Sequence, residues 1–331
     1  MNNSSTSPQG QSKATLPKQQ SYESFLRWHT SVCQEIHKKG RLNRYALIDT
    51  NAGSGYNQEA LCDGSPVVAL DVLSSASFPW SAFFVEQSID SCVALAKRCL
   101  EVCSRKVLIL TNTATKSNNE CFKGCSTNGI KIAFVAVERL DSVLNLFLSL
   151  DNFLVIVNFD NEIVLSRFKF EHGTYGLIYA DPNGVADSCE QSVKTLFKGT
   201  GHCVDFLINL DGHTRKRVEG AENKRLADHG TTYNKDNPLV PKYNNIDQLM
   251  KNVGKQHWWI REPVPGNARG SRWTFLFGSN YGNFNLKKLT ASNLSMYNIN
   301  TDKGKEVLAQ VKGGKFPVSQ DRQQLSLQII F

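Results

Sequence analysis

The chain has 331 residues and a mass of 37.0 kDa, and 40% of its residues are hydrophobic. Its 38 Lys and Arg outnumber 30 Asp and Glu, and the resulting net charge of +8 favours a polyanionic partner. No apolar run approaches the roughly 20 residues that cross a bilayer, and the start of the chain is polar, so we predict a soluble, cytoplasmic protein with no membrane association.

The nine cysteines do not indicate a disulfide framework, because their number is odd and the chain is long. Cys92, Cys99 and Cys103 fall in a helix-like stretch, where cysteine behaves as a small hydrophobe. Cys121 and Cys125 have C-x-x-x-C spacing, but no second Cys or His pair lies nearby to complete a zinc site. We predict reduced, mostly buried thiols and no metal site.

The first 20 residues are polar and contain Pro8 and Pro17. They carry too little apolar surface to offset the entropy of ordering, so we predict a disordered tail. Apolar residues then recur at helical spacing from Tyr22 to about Lys38, which predicts a helix.

A buried strand from Tyr45 to Asp49 ends in an acid and leads into a tight turn, Asn51-Ala52-Gly53-Ser54-Gly55. This pattern is typical of the nucleotide site of a doubly wound α/β domain, where glycines let the backbone approach the ligand. An apolar helix over 67–73 follows, with Pro66 in its first turn.

A second strand ends at Glu86, about thirty residues later, where the ribose-binding acid of such folds is expected. Glu138 ends another strand, over 130–137, but it lies too far from the turn for a simple β-α-β unit, so Glu86 is preferred. A strand over 153–159 precedes Asp160, which could accept from an adenine amino group. A surface Asx turn explains Asp160 equally well.

A further strand over 176–181 runs into Asp181-Pro182-Asn183-Gly184, although P-N-G is also good chemistry for a type I turn. Basic residues are concentrated beyond it: Lys194, Lys198, Arg215, Lys216, Arg217, Lys224, Arg225, Lys235, Lys242, Arg261, Arg269 and Arg272. We interpret the polar segment 211–243 as a long excursion over a substrate face. A merely solvated surface is an equally good interpretation.

Two strand-like runs, 257–261 and 272–278, are joined by a turn-forming segment and predict an antiparallel pair. Of Trp258 and Trp259, one ring is expected in the core and the other on the surface. The predicted fold is a doubly wound, Rossmann-like, mostly parallel α/β sheet with an antiparallel closing strand pair. It spans residues 21–282, and 283–331 form a C-terminal extension with a strand-like end.

These motifs resemble class I S-adenosylmethionine-dependent methyltransferases. Four segments are similar to motifs of two groups of these enzymes and their relatives: Asp49 to Gly55, Gly64-Ser65-Pro66, Phe84-Val85-Glu86, and Asp181 to Gly184. One is the three-Cys-motif partner proteins, and the other is the ribosomal-RNA adenine-N6 methyltransferases. The resemblance covers roughly residues 22–290, through short motifs rather than continuous identity.

The resemblance implies an S-adenosyl-L-methionine site and a nucleic-acid substrate, DNA or RNA. Its cofactor residues would be Asp49, Asn51, Ala52, Gly53, Gly55, Glu86 and Asp160, with Glu86 accepting from the ribose hydroxyls. Asp181, Pro182 and Asn183 match the start of the D-P-P-Y signature, in which the acid accepts from the target amino group. The candidate substrate-binding residues are Tyr179, Gly184, Arg215, Lys216, Arg217 and Trp259.

The chain departs from that signature, because Asn183 stands in place of the second proline and Gly184 in place of the stacking aromatic residue. Two hypotheses therefore remain: a nucleic-acid methyltransferase, with adenine N6 as the preferred target, and a non-catalytic binding protein that partners another protein. A nicotinamide dehydrogenase is disfavoured, since Gln58 stands where the last glycine of G-x-G-x-x-G belongs.

Overall fold

A computed structural model of the chain describes residues 15–58, 60–102, 107–111, 133–136, 153–181, 202–211, 246–265, 272–284 and 294–312. The helices in this part of the chain are α1 (Thr15–Lys38), α2 (Ser65–Ser74), α3 (Ile89–Val102), α4 (Asn161–Arg167), α5 (Ile246–Val253) and α6 (Asp302–Lys312). The first strands are β1 (Arg44–Asp49), β2 (Tyr56–Asn57), β3 (Cys62–Asp63), β4 (Trp80–Val85), β5 (Val107–Thr111), β6 (Ala133–Ala136) and β7 (Phe153–Asn158). The remaining strands are β8 (Thr174–Ala180), β9 (Val204–Asp211), β10 (His257–Arg261), β11 (Val264–Pro265), β12 (Arg272–Ser279) and β13 (Met296–Asn298).

One sheet organises the fold, in the order β13-β10-β12-β9-β8-β1-β4-β7-β5-β6, with β11 paired to β12. From β9 to β6 every neighbouring pair is parallel. The β12 strand runs antiparallel to β9, and β10 and β13 continue the antiparallel part. The predicted doubly wound, mostly parallel sheet with an antiparallel closing strand pair is therefore confirmed.

Hydrophobic layers cover both faces of this sheet, as a doubly wound fold requires. In β1, Tyr45 and Leu47 face a core shared with α1, α2 and α3, whereas Ala46 and Ile48 face a core shared with α4, α5 and α6. Because the strand is covered on both sides, its residues form one continuous apolar run. The carboxyl ends of the central strands are left for polar groups.

Helix α1 begins at Thr15, inside the segment that we predicted to be a disordered tail up to residue 20. Long-range contacts explain the difference. Tyr22 is fully buried, and the Lys18 ammonium pairs with the Asp181 carboxylate at 2.5 Å. Residues 1–14 lie outside the described part of the chain.

The segment after residue 283 is not a separate extension where the structure describes it. Strand β13 pairs with β10 in the same sheet, and α6 buries Val307, Leu308 and Val311 in the core. The strand-like end over 325–331 lies outside the described residues. Helix α4 and the β2–β3 hairpin were not predicted.

Candidate functional site

The glycine turn follows β1 at the carboxyl edge of the sheet. Gly53 and Gly55 have φ values of +65° and +79°, which favour glycine over residues with a side chain. A Cβ on Gly55 would also lie 2.7 Å from Leu95 Cδ1. The Gly64 amide donates to the Gly55 carbonyl at 2.8 Å, and a Cβ on Gly64 would lie 3.0 Å from the Gly55 backbone. The two motifs, G-x-G and G-S-P, therefore pack against each other.

Glu86 follows β4, the neighbour of β1, and its carboxylate binds the glycine turn. Oε2 accepts from the Gly53 amide at 3.0 Å, and Oε1 accepts from the Ser88 amide at 2.8 Å. Asn158 Nδ2 donates to the Glu86 and Gln87 carbonyls at 3.0 and 2.7 Å, which fixes the backbone here. A carboxylate has about four acceptor sites, so capacity remains for two ligand hydroxyls.

Glu138, the alternative ribose acid, lies outside the described residues. The β6 strand before it forms the sheet edge, and β5 and β7 separate it from β4. This order favours Glu86, which the structure brings to the glycine turn.

Asp49 ends β1 and is fully buried. Its Oδ1 accepts from the Asn51 amide at 3.1 Å, and its Oδ2 accepts from the Ser65 hydroxyl at 2.6 Å. Burial raises the pKa of Asp49 to about 7, and the charges of Asp181 and Glu86 add to the rise, against the lowering effect of its two hydrogen bonds. The carboxylate thus ties the glycine turn to the start of α2, and its contact with a cofactor stays a prediction.

Asp160 lies after β7, the strand beyond β4. Its Oδ2 accepts from Gln87 Nε2 at 2.9 Å, and its Oδ1 accepts from the Ile163 amide at 3.3 Å. The second bond caps the start of α4, as the Asx interpretation expected. A contact with adenine is not tested by this geometry.

Asp181 follows β8, the other neighbour of β1, and both of its oxygens have partners. Asn209 Nδ2 donates to Oδ1 at 2.7 Å, and Lys18 Nζ donates to Oδ2 at 2.5 Å. The Asp181 side chain is 14% exposed and that of Lys18 15%. Helix α1 therefore reaches the candidate catalytic acid with its first turns.

Two aromatic residues that we predicted to bind substrate are buried instead. The Tyr179 ring is covered by Tyr22, with ring centroids 4.2 Å apart and an interplanar angle of 26°. Trp259 is 2% exposed and packs on Phe277 and Phe284. Trp258, expected on the surface if Trp259 was in the core, is buried on the opposite face of the sheet. Both Tyr179 and Trp259 lie in the core, and their contact with a substrate stays a prediction.

Several predicted site residues lie outside the described part of the chain: Pro182, Asn183, Gly184, Arg215, Lys216 and Arg217. Cys121 and Cys125 lie outside it as well. The structure therefore brings together Asn51, Ala52, Gly53, Gly55, Asp49, Glu86, Asp160 and Asp181, all at the carboxyl ends of β1, β4, β7 and β8.

Acidic residues dominate this edge, because four adjacent parallel strands each end near a carboxylate. The effect of Asp181 and Glu86 on the pKa of Asp49 shows that the three carboxylates interact. Such an edge favours a cationic ligand.

The sequence analysis missed the residues that hold these acids. Lys18 was assigned to a disordered tail, and Tyr22 was named only as the start of a predicted helix. Asn209 had a detectable signal, since it is a buried amide within the apolar strand β9. Ser65 was noted only as part of the G-S-P motif.

Within the described ranges, no group of three or more His, Cys, Asp or Glu side chains is arranged to hold a metal ion. The described thiols are Cys33, Cys62, Cys92, Cys99 and Cys203; none of these five forms a disulfide bond, and three of them are buried. Among the helices that the structure describes, none is long and apolar enough to span a membrane.

No protein-family model matches the chain, and no curated protein matches it. Among solved structures, a Legionella pneumophila protein of the family model DUF519 is similar with a TM-score of 0.43 and 10% identity, covering 88% of this chain and 93% of that one. A protein described as a probable spermidine synthase from Corynebacterium glutamicum has a TM-score of 0.40 and 13% identity, with coverage of 91% and 82%. Similarities at this level assign neither an activity nor a family.

Proposed function

We propose that the chain is an S-adenosylmethionine-dependent methyltransferase that acts on nucleic acid, with the exocyclic amino group of adenine as its preferred target. The hydrogen bond from the Gly53 amide to Glu86 carries the proposal. It joins the candidate ribose acid to the glycine turn, and β1 lies directly between the strands that end at Glu86 and Asp181.

The carboxylates and the glycine turn at this edge support the choice of cofactor, since S-adenosylmethionine carries a sulfonium and an ammonium against one carboxylate. Glu86 has acceptor sites for a ribose diol, and the positive φ of Gly53 and Gly55 leaves the turn free of side chains that would obstruct a ligand. The cofactor supplies an electrophilic methyl group on a positively charged sulfur.

Asp181 would act on the amine rather than on the cofactor. An exocyclic amine is a weak nucleophile because its lone pair is delocalised into the ring. A carboxylate that accepts one of its protons favours a tetrahedral nitrogen with an available lone pair. The cofactor would supply its methyl group to the amine nitrogen, and Asp181 or water would accept the amine proton. Asn209 fixes Asp181 Oδ1 at 2.7 Å, and such preorganisation supplies much of the rate.

The nucleic-acid substrate is supported by the net charge of +8 and by the basic residues after Asp181, among them Arg215, Lys216 and Arg217. Phosphate contacts of this kind hold a strand without reading its sequence. A base in a duplex would have to be flipped out to reach Asp181, whereas a single strand would not.

The test is methyl transfer from labelled S-adenosylmethionine to a panel of DNA and RNA, with nucleoside mass spectrometry as the readout. We expect N6-methyladenine with the wild type and its loss in Asp181→Ala. The matched control is Asp247→Ala, because Asp247 is exposed and pairs with Lys312 rather than with a residue of this site. The proposal is refuted if the wild type forms no product and calorimetry detects no binding of the cofactor.

One observation favours the second candidate, a non-catalytic binding protein. Both Asp181 oxygens already have protein partners, Lys18 and Asn209. Cofactor binding by calorimetry, with no product from any nucleic acid even in Lys18→Met, would support this alternative.

A further inference from the structure

A cavity of about 340 Å³ lies at the opposite edge of the sheet, where the parallel strands begin. We call it the amino-edge cavity; its walls include Val32, Ile36, Tyr175, Cys203, Asp205 and Tyr281. Its volume is in the range of small-molecule sites. Tyr175 lies near the start of β8, and Asp181 directly follows its end. At the rise per residue of a β-strand, the two residues are about 20 Å apart. The cavity is therefore separate from the candidate methyl-transfer site.

One carboxylate oxygen in the cavity wall lacks a partner. Asp205 is 5% exposed, and its Oδ2 pairs with His29 Nε2 at 3.1 Å. His29 Nδ1 contacts the Tyr45 hydroxyl at 2.9 Å, so both ring nitrogens are engaged. Asp205 Oδ1 is buried and accepts no hydrogen bond from any residue that the structure describes. A buried acceptor without a hydrogen bond lowers the stability of the folded protein, and a ligand that donates a hydrogen bond to it would remove this penalty.

Among the described wall residues of the cavity there is no Lys or Arg; His29, which also lines it, pairs with Asp205. The nearby buried cation is Lys255, whose ammonium donates to the His202 carbonyl at 3.5 Å. Burial lowers the pKa of Lys255 to about 8, while the Asp205 charge acts in the opposite direction. Lys255 lies outside the cavity wall, which leaves Asp205 as the acid that faces a ligand there.

The rest of the wall is largely apolar and aromatic. Val32 and Ile36 come from α1, and Phe284 comes from the segment after β12. The Tyr175 and Tyr281 rings stack with centroids 6.3 Å apart and an interplanar angle of 20°. A carboxylate surrounded by aromatic and aliphatic side chains suits a ligand that carries an ammonium group on a short hydrocarbon chain or ring. The aromatic rings add to the attraction, because they also bind cations.

We propose that the amino-edge cavity binds a small primary amine, with its ammonium on Asp205 and its hydrocarbon part against Val32, Ile36 and the tyrosine rings. The inference does not depend on methyl transfer at the opposite edge. It assigns a second ligand site to the chain.

The experiment is calorimetric titration of the full-length protein with three probes of similar shape: benzylamine, benzyl alcohol and benzoate. We expect benzylamine to bind at least about tenfold more tightly than benzyl alcohol, and benzoate not to bind, because a charge-assisted hydrogen bond is stronger than a neutral one. Equal affinity for the amine and the alcohol, or no binding of the amine, would overturn the proposal.

Asp205→Asn should abolish the preference for the amine, whereas Asp71→Asn, which changes an exposed acid on α2, should leave it unchanged. Asp205→Asn also removes the negative charge that pairs with His29, which could alter the fold around the cavity. A second variant that keeps Asp205 is therefore needed. Val32→Phe fills the cavity and keeps Asp205, so it should exclude benzylamine, with Val32→Ala as its size control. Amine binding that disappears in Asp181→Asn but persists in Asp205→Asn would place the amine at the other edge and refute the inference.

Discussion

The two edges of the sheet differ in how many of their carboxylate oxygens have hydrogen-bond partners. Helix α1 contacts acids at both edges. At the carboxyl edge, Asp49, Glu86 and Asp181 come from different strand ends, and each has donors for both oxygens. At the amino edge, Asp205 has one partner, His29, and one oxygen without any among the described residues. Backbone amides and side chains together supply donors to every oxygen of the clustered acids, whereas the single acid in the cavity keeps one oxygen without a described donor.

The largest effect on the carboxyl edge is expected from Gly55→Ala. The substitution combines a positive φ with a Cβ 2.7 Å from Leu95. We expect it to lower the free energy of unfolding by more than about 2 kcal/mol and to abolish cofactor binding. Urea denaturation and calorimetry measure both.

Gly40→Ala is the matched control for strain alone. Gly40 has φ +66°, but a Cβ there meets no atom within 4 Å. It should cost about 1 kcal/mol and leave ligand binding intact. Equal losses in the two variants would show that the close packing of Gly55 has no special role.

Glu86→Gln should produce the next largest effect. It removes the negative charge that accepts from Gly53 and Ser88 and would accept from a ribose diol. We expect S-adenosylmethionine to bind roughly thirtyfold more weakly, or about 2 kcal/mol. Glu101→Gln, on the exposed side of α3, serves as control. An unchanged dissociation constant would exclude Glu86 as the ribose acid.

Asp49→Asn should change the pH dependence of stability. The pKa of Asp49 is about 7 in the folded protein, against about 3.9 in an unfolded chain. Between these values the folded state holds the extra proton, so this group's contribution to stability falls as the pH rises from about 4 to about 7. The amide cannot ionise, so the stability of Asp49→Asn relative to wild type should rise with pH over that window.

Urea denaturation at a series of pH values tests this directly, with the exposed Asp71→Asn as control. The difference between Asp49→Asn and wild type should grow by on the order of a few kcal/mol across the window. Parallel curves would mean that Asp49 titrates normally.

The smallest effect is expected from Lys18→Met, which frees one oxygen of Asp181. If the acid works on a substrate amine, the variant should raise kcat/KM by about fivefold, because a partly exposed ion pair is worth about 1 kcal/mol. Lys38→Met, which breaks the exposed pair with Glu35, controls for the loss of charge. A fall in kcat/KM would show that Lys18 holds Asp181 in its working position.

Patterns local in sequence predicted the carboxyl edge well. The glycine turn, the strand ends and the antiparallel pair are encoded within a few residues each, so Gly53, Glu86 and Asp181 were found. Contacts between distant segments carry no such pattern: Lys18 lies in a polar stretch, and its partner comes much later in the chain. Helix α6 was missed although Val307, Leu308 and Val311 recur at helical spacing.

The two tryptophans show where a local pattern was read incorrectly. The run Trp258-Trp259-Ile260 is apolar at every position, which is typical of a strand buried on both faces. We expected one ring on the surface, as in a sheet with one solvated face. Helices on both sides of the sheet bury both rings.

Helix α1 precedes the other described elements in the sequence, yet it packs on a strand much later in the chain. Phe25 packs on Phe277 with ring centroids 5.0 Å apart, and Lys18 and His29 reach Asp181 and Asp205. Contacts so distant in sequence form late in folding. The part of α1 that packs on β12, with Phe25 and Trp28 against Phe277, therefore stays uncovered until β12 has been synthesised, and we expect chaperones to bind the nascent chain there.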